Sequence, residues 1–104
     1  MSHRTFNKNS IYYKLIQTLP IGHNINIDEF SDEELILFYQ TVGANVKRIR
    51  KEKKVTQMQL SLAIGHNSVG HVAKAELYKY EKHFNLEQLY KISKVLDVGL
   101  GEFF

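Results

Sequence analysis

The side chains of this sequence that could do chemistry are chiefly its cations, and they are unevenly distributed. Residues 1–40 carry three Lys or Arg against five carboxylates, whereas residues 41–104 carry eleven against six, so their net charges are −2 and +5. A selectively basic segment favours a polyanionic partner. The densest basic run, from Lys47 to Lys54, is also typical of a solvated helix face.

Catalytic and metal chemistry find little support. The chain has five histidines and no cysteine. His66 and His71 are five residues apart, which is not the spacing that brings two helical ligands to one metal ion. There is no glycine-rich phosphate loop and no nucleophile motif, and Asp32, Glu33 and Glu34 suit the first turn of a helix, where the helix dipole favours them. We therefore predict no catalytic residues, no metal and no cofactor.

Three segments have the pattern of a capping box inside a hydrophobic staple. In each, a Ser, Thr or Asn is followed three residues later by Glu or Gln, and apolar residues flank the cap. The sets of cap, partner and staple are Ser31, Glu34, Phe30 and Leu35; Thr56, Gln59, Val55 and Leu60; and Asn85, Gln88, Phe84 and Leu89. Each set predicts the start of a helix.

The spacing of apolar residues predicts how far these helices run. The first continues from Leu35 to about Ile49, although Gly43 costs about 1 kcal/mol relative to Ala and leaves a break near Thr41 open. The second runs from Gln57 to about Ile64 and ends at Gly65. The third runs from Leu86 to about Asp97, closed by Gly99. The inward residues of the last two are Leu60, Ala63, Ile64, Leu89, Ile92 and Leu96.

A further helix is predicted between residues 68 and 82, with Ser68 as its N-cap. Its inward stripe would be Val69, Val72, Ala73, Leu77 and Tyr80, and its outward face would carry His71, Lys74, Tyr78 and Lys82. A short turn containing glycine, here Gly65 to Asn67, between two brief helices is the signature of a helix-turn-helix. In this arrangement the second helix must protrude from the core, because it has to enter a DNA major groove that is about 12 Å wide.

Residues 1–40 are predicted to form an N-terminal extension, and residues 41–104 the main domain. A short amphipathic helix is expected from Ile11 to Leu19, ended by Pro20, and Asn24–Asp28 alternates like a strand or an extended arm. No apolar run approaches the ~20 residues of a membrane span, and the N-terminus lacks the apolar region of a signal peptide. We expect a cytoplasmic protein that does not contact a membrane.

Several motifs together resemble the lambda-repressor/Cro-like family, also called the xenobiotic-response-element family. They are Val42-Gly43, Val46-Lys47, Ile49 to Lys53, Val55-Thr56-Gln57, Leu60, Ala63-Ile64-Gly65, Ser68, Val72, Glu76, Leu86 to Leu89, Lys91-Ile92, Leu96, Val98 and Phe103. The resemblance covers about residues 41–104. The sequence departs from the family in a turn one residue longer after Gly65, a segment about two residues longer after Glu76, and Lys54 where glycine is usual.

The resemblance implies an all-α bundle of about five helices with an N-terminal helical or extended arm, binding double-stranded DNA. The base-facing residues would be Ser68, Val69, Gly70, His71 and Lys74, and the phosphate-contacting ones Gln57, Asn67, Arg50, Lys53, Lys82 and His83. The reading helix lacks Arg, Asn and Gln, the side chains that make bidentate contacts to bases. DNA shape and phosphate contacts are therefore expected to supply much of the affinity.

The predicted function is that of a sequence-specific transcriptional regulator of bacterial or phage type that binds as a homodimer, with the N-terminal extension as the candidate dimerisation or partner contact. Two alternatives stay open. One is a protein-interaction module, such as the antitoxin of a toxin–antitoxin pair, because the longer turn and the weak base-reading set are unusual. The other is a non-specific architectural DNA-binding protein.

Overall fold

The computed structural model describes residues 31–65 and 68–104, and these form an all-α structure, as predicted. The helices are α1 (Asp32–Glu52), α2 (Gln57–Ala63), α3 (Val69–Leu77) and α4 (Leu86–Leu96), with 3-10 turns at Lys79–Glu81 and Leu100–Phe103. No strand occurs in these ranges. Among them there is also no helix with both the length and the apolar character of a bilayer span.

The chain divides into two units, residues 1–35 and Ile36–Phe104. Of the first unit only Ser31–Leu35 is described, and there the Oγ of Ser31 accepts the backbone N–H of Glu34 at 3.2 Å. The helix predicted at Ile11–Leu19 and the strand or arm predicted at Asn24–Asp28 lie outside the described residues. The predicted domain boundary at residues 40 and 41 stays a prediction.

The capping boxes at Thr56 and Asn85 form as predicted. The side chain of Thr56 accepts the N–H of Gln59 at 3.0 Å, and the side chain of Gln59 accepts the N–H of Thr56 at 2.9 Å. Asn85 and Gln88 exchange the same two bonds at 2.8 and 2.9 Å. These bonds satisfy backbone donors that have no partner inside a helix, and so they set where α2 and α4 begin.

One core joins all four helices of the second unit. It consists of Val42, Val46, Ile49, Leu60, Ile64, Val72, Ala75, Phe84, Leu89, Ile92, Leu96 and Phe103, with Val55 and Val98 packed against it. Ala63 was predicted to face inward but is exposed, and Ser61 is buried in α2 instead. The reason is that the short α2 turns Leu60 and Ser61 toward the core, together with its C-cap Ile64, which leaves Ala63 on the outer side.

Helix α1 is continuous, without the break that was left open near Thr41. Gly43 is buried where α1 crosses the end of α3, and a Cβ built on it would lie 2.5 Å from the carbonyl oxygen of Ala75. Glycine at this position therefore permits a close approach of the two backbones, which outweighs its low helix propensity.

Helix α3 ends earlier than predicted, at Leu77. Tyr78 takes a left-handed conformation with φ of 54°, and its ring stacks on Tyr39 with centroids 5.4 Å apart. The prediction that Leu77 and Tyr80 face inward is wrong. Both residues lie at or beyond the left-handed turn at Tyr78, and they are 58% and 73% exposed. Tyr78, predicted to face outward, is half-buried against α1.

Two other helix ends use non-glycine residues at positive φ. Lys54, which stands where glycine was expected, has φ of 59°, a conformation that costs roughly 1–2 kcal/mol in an L-residue. Asp97 ends α4 with φ of 53°, while Gly99, predicted to close this helix, has an ordinary φ of −68°. The N–H of Val98 donates to Ser93 at 3.0 Å and completes the end of α4.

Candidate nucleic-acid interface

Helices α2 and α3 form a two-helix unit whose second helix is held at both ends. At its start, the buried hydroxyl of Ser61 in α2 donates to the carbonyl oxygen of Ser68, the N-cap of α3, at 3.1 Å. Gly65 ends the first helix with φ of 86°, as its position predicted. Ser68 has the extended backbone of an N-cap, but its side chain makes no capping bond.

A buried ion pair holds the other end of α3. Glu76 is 2% exposed, and its carboxylate accepts Nε of Arg50 at 2.6 Å and Nη2 at 3.0 Å, a bidentate contact. The same carboxylate accepts Nε2 of Gln57 at 2.9 Å, and Nη1 of Arg50 donates to the carbonyl of Val55 at 2.9 Å. Glu76 thus connects α3 to the end of α1 and the start of α2 through charge-assisted bonds.

The outward side of α3 presents three of the five predicted base-facing residues. Ser68, Gly70 and Lys74 are exposed, whereas Val69 is half-buried. A Cβ on Gly70 would meet only the hydroxyl of Ser68, so this part of the surface is open. A helix with a small residue near its start and a cation one turn later can approach a groove closely and meet its phosphates.

His71 does not share this outward face, and the prediction that it faces bases is corrected. It is half-buried, its ring meets Phe84 edge-on with centroids 6.2 Å apart, and its Nε2 atom is buried. Phe84 belongs to the core, so His71 packs between α3 and the segment that leads into α4.

The sequence model of the helix-turn-helix family matches residues 46–103. This range is more than half of the chain and includes all of α2 and α3. The chain belongs to this family. The resemblance to its lambda-repressor/Cro-like members is confirmed, and the family is one of DNA-binding domains, not of enzymes. A comparison with curated proteins finds no significant match.

In this helix-turn-helix protein, the predicted phosphate-contacting residues differ in exposure and in the contacts of their side chains. Lys53 and Lys82 are exposed and available. His83 is also exposed, but the centroid of its ring lies 4.2 Å from that of the Tyr39 ring. Its Nδ1 atom is 3.2 Å from the carbonyl oxygen of Glu81. Asn67 lies outside the described residues.

Arg50 must be removed from the phosphate-contacting set. Its guanidinium is 6% exposed and all three of its nitrogens donate within the fold. Gln57 is half-buried and directs Nε2 at Glu76, so it would reach a phosphate only with the second hydrogen of that nitrogen. Both residues act first in holding α3, a role that the sequence pattern did not reveal.

In this helix-turn-helix protein, three exposed residues that the sequence did not assign to the interface lie at the end of α3 or in the 3-10 turn after it. They are Leu77, Lys79 and Tyr80. The Nζ atoms of Lys74 and Lys79 lie 5.8 and 5.3 Å from the Tyr80 ring centroid. No glycine or asparagine marks the end of α3, so no local signal would have placed Leu77 and Tyr80 outside the core.

The described residues offer little for other chemistry. Among them no group of three or more His, Asp or Glu side chains could hold a metal ion. An apolar hollow of about 240 Å³ lies between α1 and α4, lined by Phe38, Tyr39, Val42, His83, Phe84, Asn85, Leu86, Leu89 and Phe104. It contains no carboxylate or lysine, so it suits an apolar side chain better than a polar substrate.

Proposed function

We propose that this protein is a sequence-specific transcriptional regulator that inserts α3, beginning at Ser68, into the major groove and binds DNA as a homodimer. One observation carries the proposal. The outward row of Ser68, Gly70 and Lys74 is exposed, while the opposite side of the same helix is anchored by Val72, Ala75 and the buried Glu76. Groove recognition requires a rigidly held helix with an exposed face, and Lys74 adds a cation to that face.

The phosphate contacts in this proposal are Lys53, Lys74 and Lys82, together with the sequence-predicted Gln57, Asn67 and His83. Lys53 precedes α3 in the sequence, Lys74 lies within it and Lys82 follows it. Each phosphate that they neutralise releases condensed counterions. With Gly70 and Val69 as the remaining base-facing groups, readout would rest on groove shape and thymine methyl contact. A DNA-binding role also favours the cytoplasmic location expected from the sequence.

Replacing Lys74 or Lys82 with Ala should weaken DNA binding in a salt-dependent way. The measurement is a mobility-shift titration with duplex from upstream of the protein's own gene, at about 50 and about 200 mM salt. Each substitution should flatten the plot of log affinity against log salt by about 0.9. Lys91→Ala is the matched control, since Lys91 lies on α4 beside Glu87, with 3.9 Å between Nζ and Oε1.

The same titration separates this function from its alternatives. A specific regulator should prefer its own site to random duplex by at least about 10³-fold, whereas an architectural protein should bind both alike. Affinity without salt dependence, or no affinity for either duplex, would instead favour a protein-interaction module. If the Lys74 and Lys82 variants kept the wild-type slope, α3 would not be the groove helix.

The homodimer part of the proposal is supported by the exposed start of the second unit. Leu37 and Phe38 are 63% and 49% exposed, and Phe38 stacks on Phe104 at the rim of the apolar hollow. These residues belong to the N-terminal extension that the sequence suggested for dimerisation. A single small module buries only about 600–1,000 Å² on DNA, so pairing would raise its affinity. The hollow also favours the second candidate, an antitoxin-like module that binds a partner protein.

Replacing Leu37 and Phe38 together with Lys should convert the dimer to a monomer, because four charges would be brought into one two-fold interface. Light scattering measures the mass, and circular dichroism checks that the helices remain. Deleting residues 1–29 is expected to weaken dimerisation as well and to leave a folded core. An unchanged mass in both variants would contradict the proposed interface, while a wild-type protein that is monomeric would favour the partner-binding module.

A further inference from the structure

The turn after α3 combines backbone strain with an exposed aromatic ring. Tyr78, Tyr80 and Glu81 have φ of 54°, 55° and 60°. Such conformations cost free energy in residues other than glycine, and they persist where surrounding structure or function demands them. The stacking of Tyr78 on Tyr39 accounts for the first of them. Tyr80 is 73% exposed, and no core packing accounts for its strain.

Two lysine ammonium groups lie near the exposed ring of Tyr80. The Nζ atoms of Lys74 and Lys79 lie 5.8 and 5.3 Å from its centroid, within the range of a cation–π contact. Lys74 comes from the outward face of α3 and Lys79 from the turn, so the ring brings together two ammonium groups that separate elements supply. Lys82 follows in the same turn, which leaves an excess of positive charge despite Glu81.

We propose that Tyr80 is a positioning residue that holds Lys74 and Lys79 as a clamp for a DNA backbone phosphate at the C-terminal end of α3. The ring restrains both flexible side chains before DNA arrives, which lowers the entropy lost when they bind. Because both ammonium groups remain exposed, each keeps donors for phosphate oxygens. The proposal rests on the proposed function and adds Lys79 to its phosphate contacts.

The test uses the full chain and the promoter duplex in a salt series. Tyr80→Leu should lower affinity about two- to fivefold, the range of an exposed cation–π contact, and should leave the salt slope nearly unchanged. Tyr80→Phe should bind like wild type, because it keeps the ring. Lys79→Ala should reduce the slope by about 0.9. Tyr90→Leu is the matched control, since the Tyr90 ring lies 5.4 Å from Nζ of Lys94 on α4.

Tyr80→Gly distinguishes positioning from a structural role. Glycine accepts a positive φ without strain, so the melting temperature should stay or rise while DNA affinity falls. The clamp is overturned if Lys79→Ala keeps the wild-type slope, or if Tyr80→Leu loses no more affinity than Tyr90→Leu. A wild-type protein without salt-dependent binding would instead refute the proposed function itself, and so the two failures are distinguishable.

Discussion

Replacing Glu76 with Ala is expected to lower the free energy of unfolding by about 3–5 kcal/mol, the cost of leaving one member of a buried ion pair without its partner. The guanidinium of Arg50 would stay in a site that is closed to water and would lose both bonds of its bidentate contact. Gln57 would lose its acceptor as well. Against a total stability of about 5–15 kcal/mol for a typical domain, this is a large fraction.

Urea denaturation followed by circular dichroism measures this change. The matched control is Arg48→Ala, because Arg48 and Glu52 form a pair at 3.2 Å whose side chains are more than half exposed. An exposed pair of this kind contributes about 0–1 kcal/mol. If Glu76→Ala costs no more than Arg48→Ala, the buried network does not hold α3.

The double variant Arg50→Met with Glu76→Leu tests the cause of the loss. Removing both charges leaves no uncompensated ion, and such replacements are often neutral or stabilising. We expect the double variant to recover most of the stability that Glu76→Ala loses. A double variant as unstable as the single one would indicate that the loss comes from packing.

Gly43→Ala is expected to destabilise the protein by about 3 kcal/mol, although helix propensity alone would predict a gain of about 1 kcal/mol. The added Cβ would lie 2.5 Å from the carbonyl oxygen of Ala75 and 2.7 Å from that of Glu76. Both are backbone atoms of α3 and cannot rotate away. The two helices would have to separate, which would also shift the proposed groove helix.

Gly70→Ala is the matched control, because it places the same methyl group on an exposed position of α3. There the nearest atom is the Ser68 hydroxyl oxygen at 3.3 Å, which can move with its side chain. Thermal unfolding of the two variants should therefore give opposite signs, or no change for Gly70→Ala. A gain in stability for Gly43→Ala would mean that α1 and α3 leave room for a methyl group at this crossing.

Features that depend on neighbours in sequence were predictable. The capping boxes at Thr56 and Asn85 form as expected, because each uses bonds between residues three apart. The extent of α1 followed from its apolar stripe, although a break near Thr41 had been left open. The family resemblance was predictable for the same reason, since it rests on the order and spacing of short local motifs, and the match at residues 46–103 confirms it.

The outward face of α3 could be predicted only in part. Lys74 followed from helical spacing, and Ser68 and Gly70 from the family resemblance, but His71 was assigned to the same face and packs against Phe84. The helical period places His71 at the edge between two faces, and the large ring from the segment before α4 decides on which side it lies.

The sequence by itself determined the helices, their starts and the basic character of residues 41–104, because these features depend on residues close together in the chain. Only the tertiary structure decided that α3 ends at Leu77, since Tyr78 turns into the left-handed region to stack on Tyr39 of α1. The tertiary structure also decided that Arg50 is buried. Its partner, the carboxylate of Glu76, lies 26 residues away in the sequence, so no local pattern marks the pair. Contacts of that range leave no local pattern, and they select which cations remain free to meet DNA.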